Sequence, residues 1–345
     1  MAYSTISKPS LHFNTKLYTG NSTGSTTQAI TGVGFQPDWV WLKSRDTAER
    51  HWLVDAVRGI TNGICSHTNE AQFSNISMVS FDNDGFTVGT DAYSINKNND
   101  NYASWNWKAG NSAGSSNTDG DITATVSANT TAGFSIIKWS GVDRTGTIGH
   151  GLGAVPKMII AKRLATRDWA VYHASVGANK KLVLNSTAAE ASSTGFDDTP
   201  TSSVINVGYN DDVNGGGADY IAYCFAEKKG FSKFGSYIGN GNADGTFVYT
   251  GFSPSVVMTK RSDSTSDWLI CDNKRPGYNV INKKLFANLS QAEDSYDSFD
   301  FLSNGFKIRS AGTGHNASSG TFIYMAFAEE PLVANVGSSI PATAR

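Results

Sequence analysis

The stretch GFQPDWVWLKSR, residues 34–45, has two near-copies downstream, GAVPKMIIAKR at 153–163 and GFSPSVVMTKR at 251–261. Pro37, Pro156 and Pro254 each open an apolar run, and Lys43, Lys162 and Lys260 close it six residues later. Proline cannot donate to a β-ladder, so it belongs at the first residue of a strand or on an edge. The run behind it is apolar on both faces: Trp39-Val40-Trp41-Leu42 in the first copy, Met158-Ile159-Ile160-Ala161 in the second. Strands buried on both sides read this way. Trp39 and Trp41 are therefore core residues rather than a sugar-stacking platform, since their counterparts are Met, Ile and Val. The closing lysine is expected to mark the return to solvent.

The copies extend over more than sixty residues, and a repeat of this length decides the fold before any local signal does. A Trp segment comes after each run, with Trp52, Trp169 and Trp268 lying 15, 13 and 14 residues after their prolines. KKLVLNSTAAEA from Lys180 and KKLFANLSQAED from Lys283 match, with ICSHTNEAQF from Ile64 as a looser counterpart. VSFDNDGFTVG and FDFLSNGFKIR each place a polar-Gly turn between alternating arms, a hairpin signal. Aromatic strands start at Tyr102, Tyr220 and Phe322, which are 65, 64 and 68 residues after the prolines. First strands recur at Phe13, Phe134 and Phe231. AERHWLVDAVRG could form a local helix. The reading is an all-β chain of three tandem β-sandwich, jelly-roll-like repeats of about 100 residues, each with seven or eight strands. The boundaries are 1–110 with an N-terminal arm, 120–229, 230–330, and a polar tail at 331–345. The Gly/Ser/Asn-rich 111–121 reads as a looser linker and KKGFSKFG as a rigid junction.

Composition narrows the function. The 345 residues carry 28 Lys+Arg and 30 Asp+Glu, so there is no electrostatic footprint for nucleic acid or an anionic membrane. With charged residues at 17 %, Ser, Thr and Asn take the surface role. Three cysteines without metal-type spacing argue against a disulfide framework, and Cys224 and Cys271 sit in apolar strand contexts. No secretory signal and no long apolar span are visible, so the expectation is assembly in a cytosol.

The search for chemistry finds little. The six histidines show no HxxxH spacing and none pairs with a nearby cysteine, so no metal site and no cofactor are expected. Asp82-Asn83-Asp84-Gly85 lacks the later Glu of a calcium loop and reads as a hairpin turn. Asp211-Asp212 and Glu329-Glu330 are paired carboxylates in sequence, but adjacent strand residues point to opposite faces. No catalytic residue is expected. Polar, Gly/Asn-rich loops precede each aromatic strand at 89–101, 208–219 and 309–320, and such loops often carry recognition. Their most distinctive side chains, Tyr93, Asp211 and His315, are the candidate binding residues, weighed against plain solvated connections.

Several long motifs together resemble a known domain. They are YSTISKPSLHFNTKLYTGN, ITGVGFQPDWVWLKSR with VDAVRG, GFSIIKW with GHGLGAVPKMIIAKR, and DYIAYCFAEKKGFSKFGSYIGNG. They resemble the uncharacterised tandem-repeat β domain of virion structural proteins in marine tailed phages, including cyanophages. The resemblance covers nearly the whole chain and carries no catalytic signature. It implies a non-enzymatic virion component, a tail fibre or tail-associated adhesin-like protein contacting the host surface. The alternatives are a capsid-exterior decoration protein with pseudo-threefold repeats, and a carbohydrate-binding module or weak depolymerase. The implied partners are other virion proteins and a host-surface glycan or protein, with no nucleic acid and no membrane; self-association is left open.

Overall fold

The computed structural model describes residues 4–24, 26–90 and 94–332. It is all-β, with a 3-10 turn at Pro9–Leu11 and one four-residue α-helix, Thr313–Asn316, as the helical pieces among the described residues. One order of antiparallel strands occurs in three stretches. In the first, Phe13–Thr19, Asn101–Trp107, Trp39–Ser44, Trp52–Asp55 and Gly63–Cys65 lie side by side. In the second, the order is Phe134–Ser140, Asp219–Ala226, Pro156–Arg163 and Ala170–His173. In the third, Ser232–Ile238, Thr321–Pro331, Phe252–Arg261, Leu269–Asp272 and Ile281–Phe286 begin an eight-stranded sheet. Each Pro–Lys strand pairs with its own aromatic strand: Ser44 faces Tyr102, Arg163 faces Tyr220 and Arg261 faces Phe322.

Both faces of the Pro–Lys strands are buried because they serve different cores. In the first segment Val40 and Leu42 pack with Ile30, Phe86 and Val88 of a facing three-stranded sheet built from Gln28–Thr31, Gly85–Val88 and Met78–Asp82. The second and third segments have inner clusters of their own, around Ile159 and Val257. The opposite faces meet in one shared cluster. Trp39, Trp41 and Trp105 of the first segment, Met158, Ile160 and Tyr223 of the second, and Val256, Met258 and Met325 of the third all belong to it. Alternation along a strand thus sends successive side chains to a private core and a common one.

The segments close on one another in a cycle. The Gln72 amide donates to the Leu164 carbonyl (2.8 Å), Glu190 to Ser262 (2.8 Å) and Glu293 to Arg45 (2.7 Å). Three acceptors at matching strand ends thus serve first to second, second to third and third to first. A second cycle runs through the Trp-strand ends, where Asp55, His173 and Asp272 take the same place opposite Trp39, Met158 and Val256. Tyr223 Oη donates to Asp55 Oδ2 (2.8 Å), Trp105 Nε1 donates to Asp272 Oδ2 (3.2 Å), and His173 Nε2 meets the Tyr324 carbonyl (3.3 Å). Met325, which takes the place of Tyr223 and Trp105, has no proton to donate, and there a histidine donates to the backbone instead.

Some expectations need correction. The closing lysines do not mark a return to solvent: Lys43, Lys162 and Lys260 are fully buried. Each ammonium caps carbonyls of the chain just beyond its strand, Lys43 on Ser44 (2.6 Å) and Thr47 (2.8 Å), and Lys162 on Arg163 and Ala165. Lys260 caps Arg261 (2.6 Å) and, across a seam, Thr187 (3.2 Å). Trp52 is not the partner of Trp169 and Trp268. Leu42 faces Trp52, whereas Ala161 and Thr259 face Ala170 and Leu269, so His51 takes the place of the two tryptophans. The stretch read as a local helix holds the strand Trp52–Asp55 and a turn in which Asp55 accepts from the Arg58 amide (2.8 Å). The stretch read as a loose linker carries a strand, Ser115–Asn117, paired with Ala124–Asn129.

Candidate functional site

The loops ahead of the aromatic strands are built around a buried asparagine six residues before the strand's first aromatic: Asn96, Asn214 and Asn316. Asn96 Nδ2 donates to the Gly89 carbonyl (2.7 Å), Asn214 Nδ2 to Arg144 (2.6 Å), and Asn316 Nδ2 to Ser310 (2.7 Å) and Asn242 (2.7 Å). Their Oδ1 atoms accept from the amides of Asn21 (3.0 Å), Val142 (3.2 Å) and Asn240 (3.0 Å). The residue before each asparagine is buried, and its carbonyl accepts from a ring on the first strand. Tyr18 donates to Ile95 (2.7 Å), Trp139 to Val213 (3.1 Å) and Tyr237 to His315 (2.8 Å). These loops are therefore pinned at their bases by a satisfied polar network of the kind that fixes one conformation.

That frame places the candidate residues. His315 stands where Ile95 and Val213 stand, so its ring is a core ring, edge-on to Phe299 (5.9 Å) and Tyr296 (6.5 Å). Burial lowers its pKa to about 4, with Lys284 adding to the effect. Its Nε2 is buried without a partner. Asp211 is exposed, with Oδ2 3.7 Å from Arg163 and 3.9 Å from Arg167. Its neighbour Asp212 turns inward, accepting from Arg167 Nε (2.8 Å) and pairing with Lys181. The two carboxylates part as adjacent residues should. An open polar hollow of about 480 Å³ lies beside this cluster, lined by Asn179, Lys181, Ser192, Ser193, Thr194 and Asn210. Tyr93 lies outside the described residues. Asp211 and His315 belong to different segments, and no hydrogen bond or ion pair joins them.

Sequence reasoning missed the buried ion pairs. Asp55 binds Arg58 (2.5 Å) and Asp272 binds Arg275 (2.6 Å), all four side chains within 1 % of full burial. Each arginine also donates to a carbonyl of the strand just before it, Leu53 or Ile270 (2.9 Å each). The signal was present as Asp-x-x-Arg at 55–58 and 272–275, with His173 and Val176 in the second segment. Aspartate and arginine leave together because either alone would be a buried unpaired charge. Burial lowers the pKa of Lys43, Lys162 and Lys260 to about 8, opposed by Glu49, Asp168 and Asp267 respectively. Among the described residues no cluster of three or more His, Cys, Asp or Glu could hold a metal ion.

The family described as a domain of unknown function, DUF7483, matches residues 8–331. No curated protein and no solved structure matches the chain.

Proposed function

The chain belongs to the DUF7483 family, and we propose that it is a non-enzymatic structural protein of a tailed-phage virion. In this reading three tandem β-sandwich repeats of roughly 100 residues close into a single-chain counterpart of a trimer. The observation that carries it is the cycle of amides from Gln72, Glu190 and Glu293 onto Leu164, Ser262 and Arg45. Such a body is a rigid, multivalent unit. It presents three loop sets, among them the Asp211–Arg167 cluster, to a host-surface glycan or protein, so that weak single contacts sum to avidity. The buried titratable groups support a structural role, since the lysines cap carbonyls and the Asp–Arg pairs hold seams.

The resemblance to virion proteins favours a tail-associated seat. The cyclic closure favours a second reading, capsid-exterior decoration, because a pseudo-threefold body suits a threefold lattice site. A side-chain-resolution reconstruction of the intact particle separates them. Density at the tail periphery with the loops outward supports the adhesin reading, density over the head lattice supports decoration, and absence from purified particles overturns both.

A further inference from the structure

The three seams share one build where the Trp strands begin, and the third–first seam departs from it. At the first–second seam, Trp169 Nε1 donates to the Cys65 carbonyl (2.9 Å) and the Trp169 amide donates to Asn185 Oδ1 (3.0 Å). At the second–third seam, Trp268 Nε1 donates to Val183 (2.9 Å) and its amide to Asn288 Oδ1 (2.8 Å). At the third–first seam both side chains are histidines. His51 takes the tryptophan's place, and His67 takes the asparagine's, three residues after the Ile64, Leu182 and Leu285 positions that face Leu53, Val171 and Ile270. A third change accompanies them. Trp41 replaces Ile160 and Met258, and its Nε1 donates to His51 Nδ1 (2.9 Å). An acceptor Nδ1 leaves the proton of neutral His51 on Nε2, and that buried atom completes no hydrogen bond of good geometry, with only the Leu289 backbone near enough to favour its proton; His67 Nδ1 is buried without a partner. The two rings lie 6.1 Å apart.

We propose that the seam between the third and first segments is an acid-sensitive latch that opens in mildly acidic solution before the other two. The groups around the pair are cationic. His51 faces Lys43, His67 and Arg275, and His67 faces Arg50 and Lys43, with Glu70 already paired to Arg50. A proton on either ring adds a cation where cations already stand, and on His51 it removes the acceptor that Trp41 needs. Burial first, then these cations, push the His67 pKa down to about 4 and hold His51 well below the ordinary value. For a base lowered in the closed state, closure is at full strength above the free value near 6.5 and is lost as pH falls from there toward 4. Two protons taken up on opening move the equilibrium by up to about a hundredfold per pH unit.

The other seams differ in kind. The first–second seam carries Asp55, Arg58 and Tyr223, with half-buried His12 near Asn129 at its margin. The second–third seam carries one buried histidine, His173, and there the chain itself runs from Ala226 to Ser232 and tethers the two sides. Among the described residues no such tether spans the third–first seam, which Arg45–Glu293 and Trp105–Asp272 also hold. The inference stands whatever the protein's seat or partner.

The three equivalent amides report the three seams. Hydrogen exchange on the full chain at pH 7 and pH 5, corrected for intrinsic rates, should show the Glu293 amide losing at least tenfold more protection than Gln72, with Glu190 between. His67→Asn should reduce the pH dependence at Glu293 to about one proton. Trp41→Ile with His51→Trp and His67→Asn, the residues of the second segment, should abolish it. Equal loss at all three amides, or an unchanged Glu293 response in His67→Asn, overturns the proposal; that single variant decides if the triple variant fails to fold.

Discussion

Asp38 shows how a single buried group sets a pH response. Its Oδ2 accepts from the amides of Ala109 (2.7 Å) and Asn111 (3.0 Å), while Oδ1 is buried without a partner. Burial raises its pKa to about 6 against those hydrogen bonds. For an acid raised in the fold, the cost of ionisation is fully present above that value and relieved as pH falls from 6 toward 4. Asp38→Asn is therefore expected to stabilise the protein by about 1–2 kcal/mol at pH 7.5, shrinking to about half of that near pH 5 and vanishing only near pH 4. Urea denaturation at these pH values checks it. Asn214→Ala removes a buried amide with partners on both ends and should cost about 2–4 kcal/mol. Asp211→Ala, three residues away and exposed, should change the same midpoint by no more than about 0.5 kcal/mol. The asparagines were legible in principle, each six residues ahead of an aromatic strand, but an asparagine among many in polar loops carries no distinguishing mark. His315 was chosen as a binding candidate because a histidine in a polar loop looks like a ligand. Only its alignment with Ile95 and Val213 reveals a core position.

At the level of elements, the hairpin turns carry the strictest backbone demands. Gly85 sits at φ +150°, and a Cβ there would overlap the Ile30 carbonyl of the neighbouring strand. Gly305 repeats the contact with Val248. Gly85→Ala should separate Gln28–Thr31 from Gly85–Val88 and lower stability by about 2 kcal/mol or more, read as a lower melting temperature with faster exchange at Ile30. These hairpins were readable because a polar-Gly turn between alternating arms is a local pattern. The Pro–Lys strands were readable as doubly buried, since both residue parities are apolar. What covered the second face was not readable: Trp39 looks the same whether it packs inside its own sandwich or stacks at 4.1 Å on Tyr223 of another segment. The buried lysines were misread for the same reason, because a charge at a strand end signals solvent unless tertiary carbonyls are there to receive it.

Across the whole molecule, the shared cluster makes the segments interdependent. Isolated residues 120–229 would expose Met158, Ile160, Val171, Tyr223 and Phe225 as one apolar face, far beyond what a monomer tolerates. That fragment is expected to aggregate or remain unfolded by circular dichroism and size-exclusion chromatography, while the full chain unfolds in one transition. A stable, monomeric 120–229 fragment would contradict the shared-core account.

The histidine pair at one seam has a consequence for inheritance. A trimer of identical chains must repeat every substitution at all its interfaces, so a change useful at one and harmful at two is never available to it. Here each interface is written separately in the gene. Trp41, His51 and His67 could be acquired at one junction while Trp169, Asn185, Trp268 and Asn288 kept the other two unaltered. In the single-chain trimer reading proposed above, joining the copies end to end turns a symmetric shape into one whose joints can be adjusted individually.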